Sequence, residues 1–542
     1  MRRLQYFIIV MTLLSCGKNN SDTSGKKIFR YNEAAGLTSL DPAFAKDQSI
    51  IWPCLEIFNG LVQLDTGLRI IPCIAHSWEI SDNGKSYTFH LRDDVFFHHN
   101  PCFSTPDSTR RVIANDFVFS LQRLTDPQLT SPGAWVMKHV LHDDNGNLTG
   151  INAKDDTTLI VQLDQIYPPF LGLLTMPYCS VVPKEVVKKY GPDFRSNPCG
   201  TGPFRFSFWK EGVKLILLKN ENYFESDGKN RLPYLDAIDI SYISDKQSAF
   251  IEFLKGRLDF LSGADPAYKD ELLTRSGHLQ PKYGDRFIME TQPYLNTEYL
   301  GILMDNHDSK LLPLSMKKIR QALNYGFDRR KMISYLRNSM GTPGVFGMVP
   351  PGLPSFDSSL VSYDYEPEKV KQLLIESGFP NGKNLPEIIL STTTNYQDLC
   401  EFIKSQWEEF GFKIKIDVNQ AAVHRKMIAE QKLQFFRGSW IADYPDAENY
   451  LSLFYSPNFA PAGPNYTHFK NDRFDHLFEM AAGEINDSLR YQYYREMDKI
   501  VMDEAPVIIL YYDKVLRLYD KNITGLGTNA MNLLILKNVR KL

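Results

Sequence analysis

The sequence predicts a mixed α/β protein built from several domains. Segments of strand period and helix period alternate along the whole chain, the pattern of layered sheets and helices. At 542 residues the chain exceeds what one hydrophobic core holds, which points to two to four domains. Hydrophobic residues at 43% and charged residues at 23% are globular values without a disordered signature.

The elements follow in chain order. "SYTFHL" (86–91) sets Tyr87, Phe89 and Leu91 on one face with period two, a half-buried strand. "SMKKIRQALNYGFDRRKMISYL" (315–336) carries Ile319, Ala322 and Leu323 on one helical stripe. A second apolar group follows at Met332, Ile333 and Leu336. "EPEKVKQLLIESGF" (366–379) predicts a helix with Pro367 in its first turn, Val370, Leu373 and Leu374 on its buried face, and a stop at Gly378. "KIKIDV" (413–418) is a strand with Ile414, Ile416 and Val418 on one face. No internal repeat or low-complexity block interrupts this alternation.

The N-terminus is a targeting segment. Arg2 and Arg3 precede the apolar run "YFIIVMTLL", which is too short to span a bilayer as a permanent helix. Leu13-Leu14-Ser15-Cys16 resembles a bacterial lipobox, in which the chain is cut before the Cys and Cys16 carries the lipid; an ordinary secretory signal with an incidental Cys is the alternative. Residues 17–27 are polar and read as a flexible tether. No other apolar run reaches about 18 residues, so the body is expected to be soluble and held to a membrane through its N-terminal lipid.

Net charge is −3, and two units more negative without Arg2 and Arg3, which argues against nucleic acid as a partner. Six cysteines follow Cys16, at 54, 73, 102, 179, 199 and 400. None forms a CxxC pair, so zinc and redox motifs lack support, whereas export would permit bridges within the 54–199 group in no deducible pairing. Neighbouring residues of a strand point to opposite faces, so His98 and His99 do not make a metal site. "GLGTNA" (525–530) has the outline of a dinucleotide loop, but the twelve residues after Ala530 leave no room for the rest of a βαβ unit. There is no HExxH, GxSxG or Walker loop, so the sequence implies no enzyme, no cofactor and no metal.

The stretch "FFRGSWIADYPDAENYL" (435–451) carries the functional question, because it sets Asp443 three residues after Trp440. Pro445 suits a first helical position, which makes Tyr444 or Asp446 the better helix cap. General acid catalysis needs a second carboxylate facing the same bond, and nothing in the sequence places Asp446 or Glu448 in a shared cleft with Asp443. A fixed negative charge fits best: a carboxylate beside Trp440 and Tyr444 in a partly dry cleft is costly unless a cation meets it.

Five blocks then resemble, in order, the solute-binding proteins of peptide and nickel ABC importers. They are "TSLDPAFAKD" with "IFNGLVQLD" (38–65), "CGTGPFRFSFWKEGVKLILLKNENYF" (199–224), "IRQALNYGFDRRKMI" (319–333), "YEPEKVKQLLIESGFPNG" (365–382) and "SWIADYPDAENYL" (439–451). This resemblance implies a type II periplasmic-binding-protein-like fold of cluster C: two main lobes joined by a hinge, with an extra inserted lobe. Lobe I would comprise 28–56, 198–297 and 498–542, lobe II the insertion 57–197, and lobe III 298–497. It further implies a monomeric receptor that delivers peptide ligand to ABC permease subunits, with Asp443 meeting the peptide α-ammonium. Alternate residues of an extended "GSWIAD" expose their backbone alike, so Ser439 and Ile441 would pair with the peptide main chain. Glu33 and Ala35 resemble the opposite flank, Arg437 the position that can face a peptide carboxylate, and a structural Arg437 stands as the alternative. A nickel or metal-chelate receptor is the competing reading, although such relatives typically depart from the pattern around Asp443. A sensing or adhesion lipoprotein is the other.

Overall fold

The computed structural model describes residues 25–305, 313–360 and 362–542. The targeting segment, Cys16 and tether residues 17–24 lie outside the described residues. Among the described residues, no helix is long and apolar enough to cross a membrane.

The main sheet has eleven strands. Its order runs Ile414–Asn419, Ile388–Thr393, Phe435–Ile441, Phe287–Ile302, Val507–Asp520, Phe260–Ser262, Ile28–Asn32, Ala237–Ser241, Lys214–Lys219 and Phe204–Lys210, with Thr342–Pro343 paired onto Val507–Asp520. Two long antiparallel strands, Phe287–Ile302 and Val507–Asp520, stand at its middle and belong to both halves. Their ladder slips between Pro293 and Thr297 and again at Glu298–Tyr299, so the sheet is least regular where its halves meet. A separate four-stranded antiparallel sheet has the order Ala75–Ile80, Ser86–Leu91, Thr158–Gln162, Ile151–Ala153; its chain is inserted between the main-sheet strands Ile28–Asn32 and Phe204–Lys210, and is called the inserted region below.

Local sequence explains most of these elements. Tyr87, Phe89 and Leu91 are buried along Ser86–Leu91 as period two requires. Pro367 opens the Pro367–Glu376 helix, and Gly378 turns the chain away with φ +85°. The 315–336 segment forms two helices, Lys317–Tyr325 and Arg329–Arg337; Asp328 caps the second by accepting from the Lys331 N–H at 2.9 Å. "CGTGPF" leads into the Phe204–Lys210/Lys214–Lys219 hairpin, and a Cβ at Gly200 or Gly202 would run into the Ile57 or Glu56 carbonyl. The Ile414–Asn419 strand departs from expectation: Ile414 is buried but Val418 is 40% exposed, because this strand is the sheet's edge.

The expectation of disulfides is corrected, since all six described cysteines are free thiols. The thiols of Cys54, Cys179 and Cys199 donate instead to the carbonyls of Leu40, Leu173 and His98, and Cys54, Cys73, Cys179 and Cys199 fill the first core as small apolar groups. His98 is buried, its Nε2 is 2.9 Å from the Gly202 carbonyl, and burial pushes it down to about 4.

The first core is continuous from Phe29 through the inserted region to Phe260 and resumes at Tyr519, so the inserted region and its half of the main sheet pack as one body. Two further clusters, from Leu295 onward, hold the other half together. Tyr444 crosses between them: among the described residues it is the only buried member of the first core between Phe260 and Tyr519.

Candidate functional site: a cleft between the two bodies

A cavity of about 930 Å³ lies where these bodies face each other. One wall comes from Lys46, Gln48, Trp52, Trp135 and Tyr178, the other from Trp440, Ile441, Asp443, Tyr444, Glu448 and Asn449. Its size falls within the range of small-ligand sites, which run from about 300 to 1,000 Å³.

The second wall is the end of the Phe435–Ile441 strand and the turn that follows. Phe435–Ile441 pairs with Phe287–Ile302 without a register shift, from Phe435 opposite Ile302 to Ile441 opposite Asn296. Leu303 N–H donates to the Gln434 carbonyl and Ala442 N–H to the Leu295 carbonyl, both at 2.9 Å. By antiparallel alternation, residues 436, 438 and 440 therefore bond inward, whereas Arg437, Ser439 and Ile441 turn their backbone groups outward. The Arg437 carbonyl is met there by His424 Nε2 at 2.9 Å, and the parallel neighbour strand pairs only at Ser391–Phe436. Beyond Arg437, among the described residues, no strand pairs this edge.

Asn449 organises the turn. Its Oδ1 accepts from Trp440 Nε1 at 2.8 Å and from the Asp443 N–H at 3.2 Å, and its Nδ2 donates to Asp443 Oδ2 at 3.3 Å. Asp443 is open to the cleft's water, yet enough protein surrounds its carboxyl that desolvation raises it above the usual carboxylate range; only the Asn449 amide opposes this. Among the described residues, no Lys, Arg or His forms an ion pair with it. The helix here begins at Glu448, with Asp446 Oδ1 accepting from the Glu448 N–H at 2.9 Å, so Pro445 lies in the preceding bend and the expected first-turn role is corrected.

The other sequence candidates are distributed unevenly. Trp440, Ile441, Asp443 and Tyr444 line the cavity, and Ser439 presents its backbone on the same open edge. Arg437 does not line the cavity: its guanidinium pairs with buried Glu298, is itself largely covered, and lies 3.3 Å over the Tyr396 ring. Glu33 lies behind the opposite wall, held 3.4 Å from the Nε2 of cavity-lining Gln48, with burial raising its carboxyl; the Ala35 N–H donates back to Glu33 at 3.2 Å. Glu448, which nothing in the sequence placed in a shared cleft, lines the same cavity as Asp443. Trp135 and Tyr178 had no signal in the sequence, since they carry no motif and lie some three hundred residues from Asp443; Asn449 stands in the "SWIADYPDAENYL" block, but nothing there marks its side chain as the one that holds the turn.

Comparison with known proteins gives this cleft a family context. Heme-binding protein A of Haemophilus influenzae is 31% identical over 513 residues, covering 91% of this chain and 88% of that protein. The dipeptide-binding protein of Escherichia coli is 25% identical over 484 residues, covering 87% of this chain and 86% of that one. The periplasmic binding protein DppA from Helicobacter pylori, solved in complex with peptide STSA, superposes with a TM-score of 0.76 at 23% identity, covering 95% of this chain and 98% of that one. This likeness establishes a periplasmic-binding-protein fold of type II. Residues 69–461 match the description "Bacterial extracellular solute-binding proteins, family 5 Middle", and the chain belongs to that family.

Proposed function

We propose that this protein is the capture subunit of an ABC importer and takes short peptides between its two bodies. The observation that carries this reading is Asp443, a desolvated carboxylate that no cation among the described residues meets, placed where the unpaired edge of Phe435–Ile441 ends. A peptide laid along that edge would pair its main chain with Ser439 and Ile441 and bring its α-ammonium to Asp443. Such contacts ignore side-chain identity, so tolerance of sequence follows. Lobe I (28–56, 198–297, 498–542) with its insertion (57–197) would close on lobe III (298–497) about the crossing strands, near the slip between Pro293 and Thr297. Arg437, occupied by Glu298, is a structural residue in this reading. The protein would act without catalysis, as a monomer, exported and held to a membrane by lipid on Cys16, beside its permease.

A metal-chelate ligand is the second reading. Similarity to a heme-binding protein favours it, as do Trp52, Trp135, Tyr178 and Trp440 around one cavity, which can cover a flat aromatic ligand. A thermal-shift screen of di-, tri- and pentapeptides, haemin and nickel chelates separates the two. A ligand at 100 times its dissociation constant should add about 2.7 kcal/mol. Stabilisation by peptides supports the first reading; stabilisation by haemin or nickel chelates alone replaces it with the second.

A further inference from the structure

One group of residues in the cavity wall ties the two bodies together. Tyr444 leaves the turn that carries Asp443 and enters the opposite body's core, where it is 3% exposed. Its ring lies 6.2 Å from that of Trp135, and a Cβ at Gly172 would sit 3.8 Å from its own Cβ. Its hydroxyl donates to Glu448 Oε2, and Tyr167 of the inserted region donates to the same oxygen at 3.2 Å, with the two hydroxyls 3.4 Å apart. Nearby, a Cβ at Gly84 would lie 3.2 Å from Ile485 Cδ1 and 3.3 Å from Ile166 Cγ2, so the bodies also touch through apolar side chains.

From this geometry we propose that Tyr167 is a positioning residue for ligand capture: with Tyr444 and Glu448 it forms a latch that holds the Asp443 turn against the inserted region when the bodies close. The proposal rests on the closure reading above, but not on the identity of the ligand. Opening the cleft would take Tyr167 from Glu448 and return the Glu448 carboxyl and the Tyr444 ring to water.

The latch titrates. Burial pushes Glu448 up to about 7, partly offset by hydrogen bonds from Tyr444 and Tyr167 and by Lys138, and reinforced by Asp446. From the inserted region, Lys138 and His139 face this group; the His139 ring lies tilted against Tyr167 with centroids 4.5 Å apart and is held low by burial. From the Asp487–Glu504 helix, Arg490 lies 3.9 Å from Asp446, and Tyr494 lies near both acids. A carboxyl whose closed-state value is raised above its open-state value favours closure below the open-state value. That contribution is lost as pH rises through the closed-state value. Closure should therefore weaken between pH 5.5 and pH 7.5.

Small-angle scattering of the ligand-free protein reads the open and closed populations directly and requires no ligand. For the wild type, the closed-to-open ratio should fall about tenfold from pH 5.5 to pH 7.5, the scale set by such a shift. Glu448→Gln should abolish that fall, leaving at most a weak rise with pH from His139, and Tyr167→Phe should lower the closed population at pH 5.5 while leaving the melting curve cooperative. Equal closed populations for the wild type and both variants at both pH values overturn the latch. Failure of peptides to bind is read separately, by calorimetry, and bears on the ligand alone.

Discussion

Arg437 and Asp443 stand six positions apart on one strand and its following turn, and they meet opposite fates. Arg437 lies where the strand is flanked on both sides; its guanidinium is paired with Glu298 and covered by Tyr396, with side-chain exposures of 12% and 3% for the pair. Asp443 lies past the last flanking strand, open to the cleft, with one neutral amide as its partner. The first charge is satisfied within the protein, so it calls for no ligand and is costly only when its partner is removed. The second is desolvated without a counter-charge and therefore favours whatever cation enters. A charged residue indicates a ligand site by what is missing around it, not by its identity.

Four variants test that contrast, beginning with the largest effect. Glu298→Ala leaves the Arg437 guanidinium buried and unpaired and should cost about 3–5 kcal/mol of stability in urea denaturation. Adding Arg437→Leu to a Glu298→Leu variant should recover most of it, because an apolar pair of similar volume replaces a buried ion pair at little net cost. A single-variant loss below about 1 kcal/mol would erase the distinction between the two ends of the strand. Asp443→Asn should leave folding intact and weaken peptide binding by about 1–3 kcal/mol, the range for a hydrogen bond to a charged group. Asn449→Ala removes the acceptor of Trp440 Nε1 and the Asp443 N–H, and should lower stability by about 1–2 kcal/mol. Its peptide affinity should fall as well, since Asp443 loses its anchor; unchanged affinity would show that Asp443 needs no positioning.

The smallest effect concerns Asp443 in the ligand-free protein. Its carboxyl is raised relative to the unfolded value of 3.8, so its favourable contribution exists below that value and is lost as pH rises through the raised value. At pH 7 the ionised group should therefore destabilise the empty protein, and Asp443→Asn should raise its stability by less than about 1 kcal/mol, discounted for exposure to cleft water. That gain should vanish near pH 3.5 in thermal melts.

Periodicity made the local elements legible. Tyr87, Phe89 and Leu91 alternate because one face of their strand is buried, and Pro367 and Gly378 bound a helix because each fixes the backbone angles its position requires. Val418 misled because period two does not reveal which strand becomes an edge. The alternation did not place the Phe435–Ile441 strand between neighbours, so it could not separate Arg437 from Asp443. Pro445 suggested an early helix start that the Asp443 turn overrides, since the Asn449 amide holds residues 440–443 in place before the helix begins at Glu448. Trp135, Tyr167 and Tyr178 reach the site only through the packing of the inserted region against a wall some three hundred residues later. The cysteines, read as potential bridges, proved to be core residues, because nothing in their spacing distinguishes a thiol that packs from one that pairs.

The central claim is that Asp443 grips a ligand's ammonium, and a calorimetric double-mutant cycle tests it most directly. A short peptide and its N-acetyl form are titrated into the wild type and into Asp443→Asn. Acetylation should weaken wild-type binding by about 1–3 kcal/mol and leave the variant nearly unchanged, a coupling of that size between side chain and amine. Equal losses on acetylation in both proteins would place the ammonium elsewhere and remove Asp443 from the site.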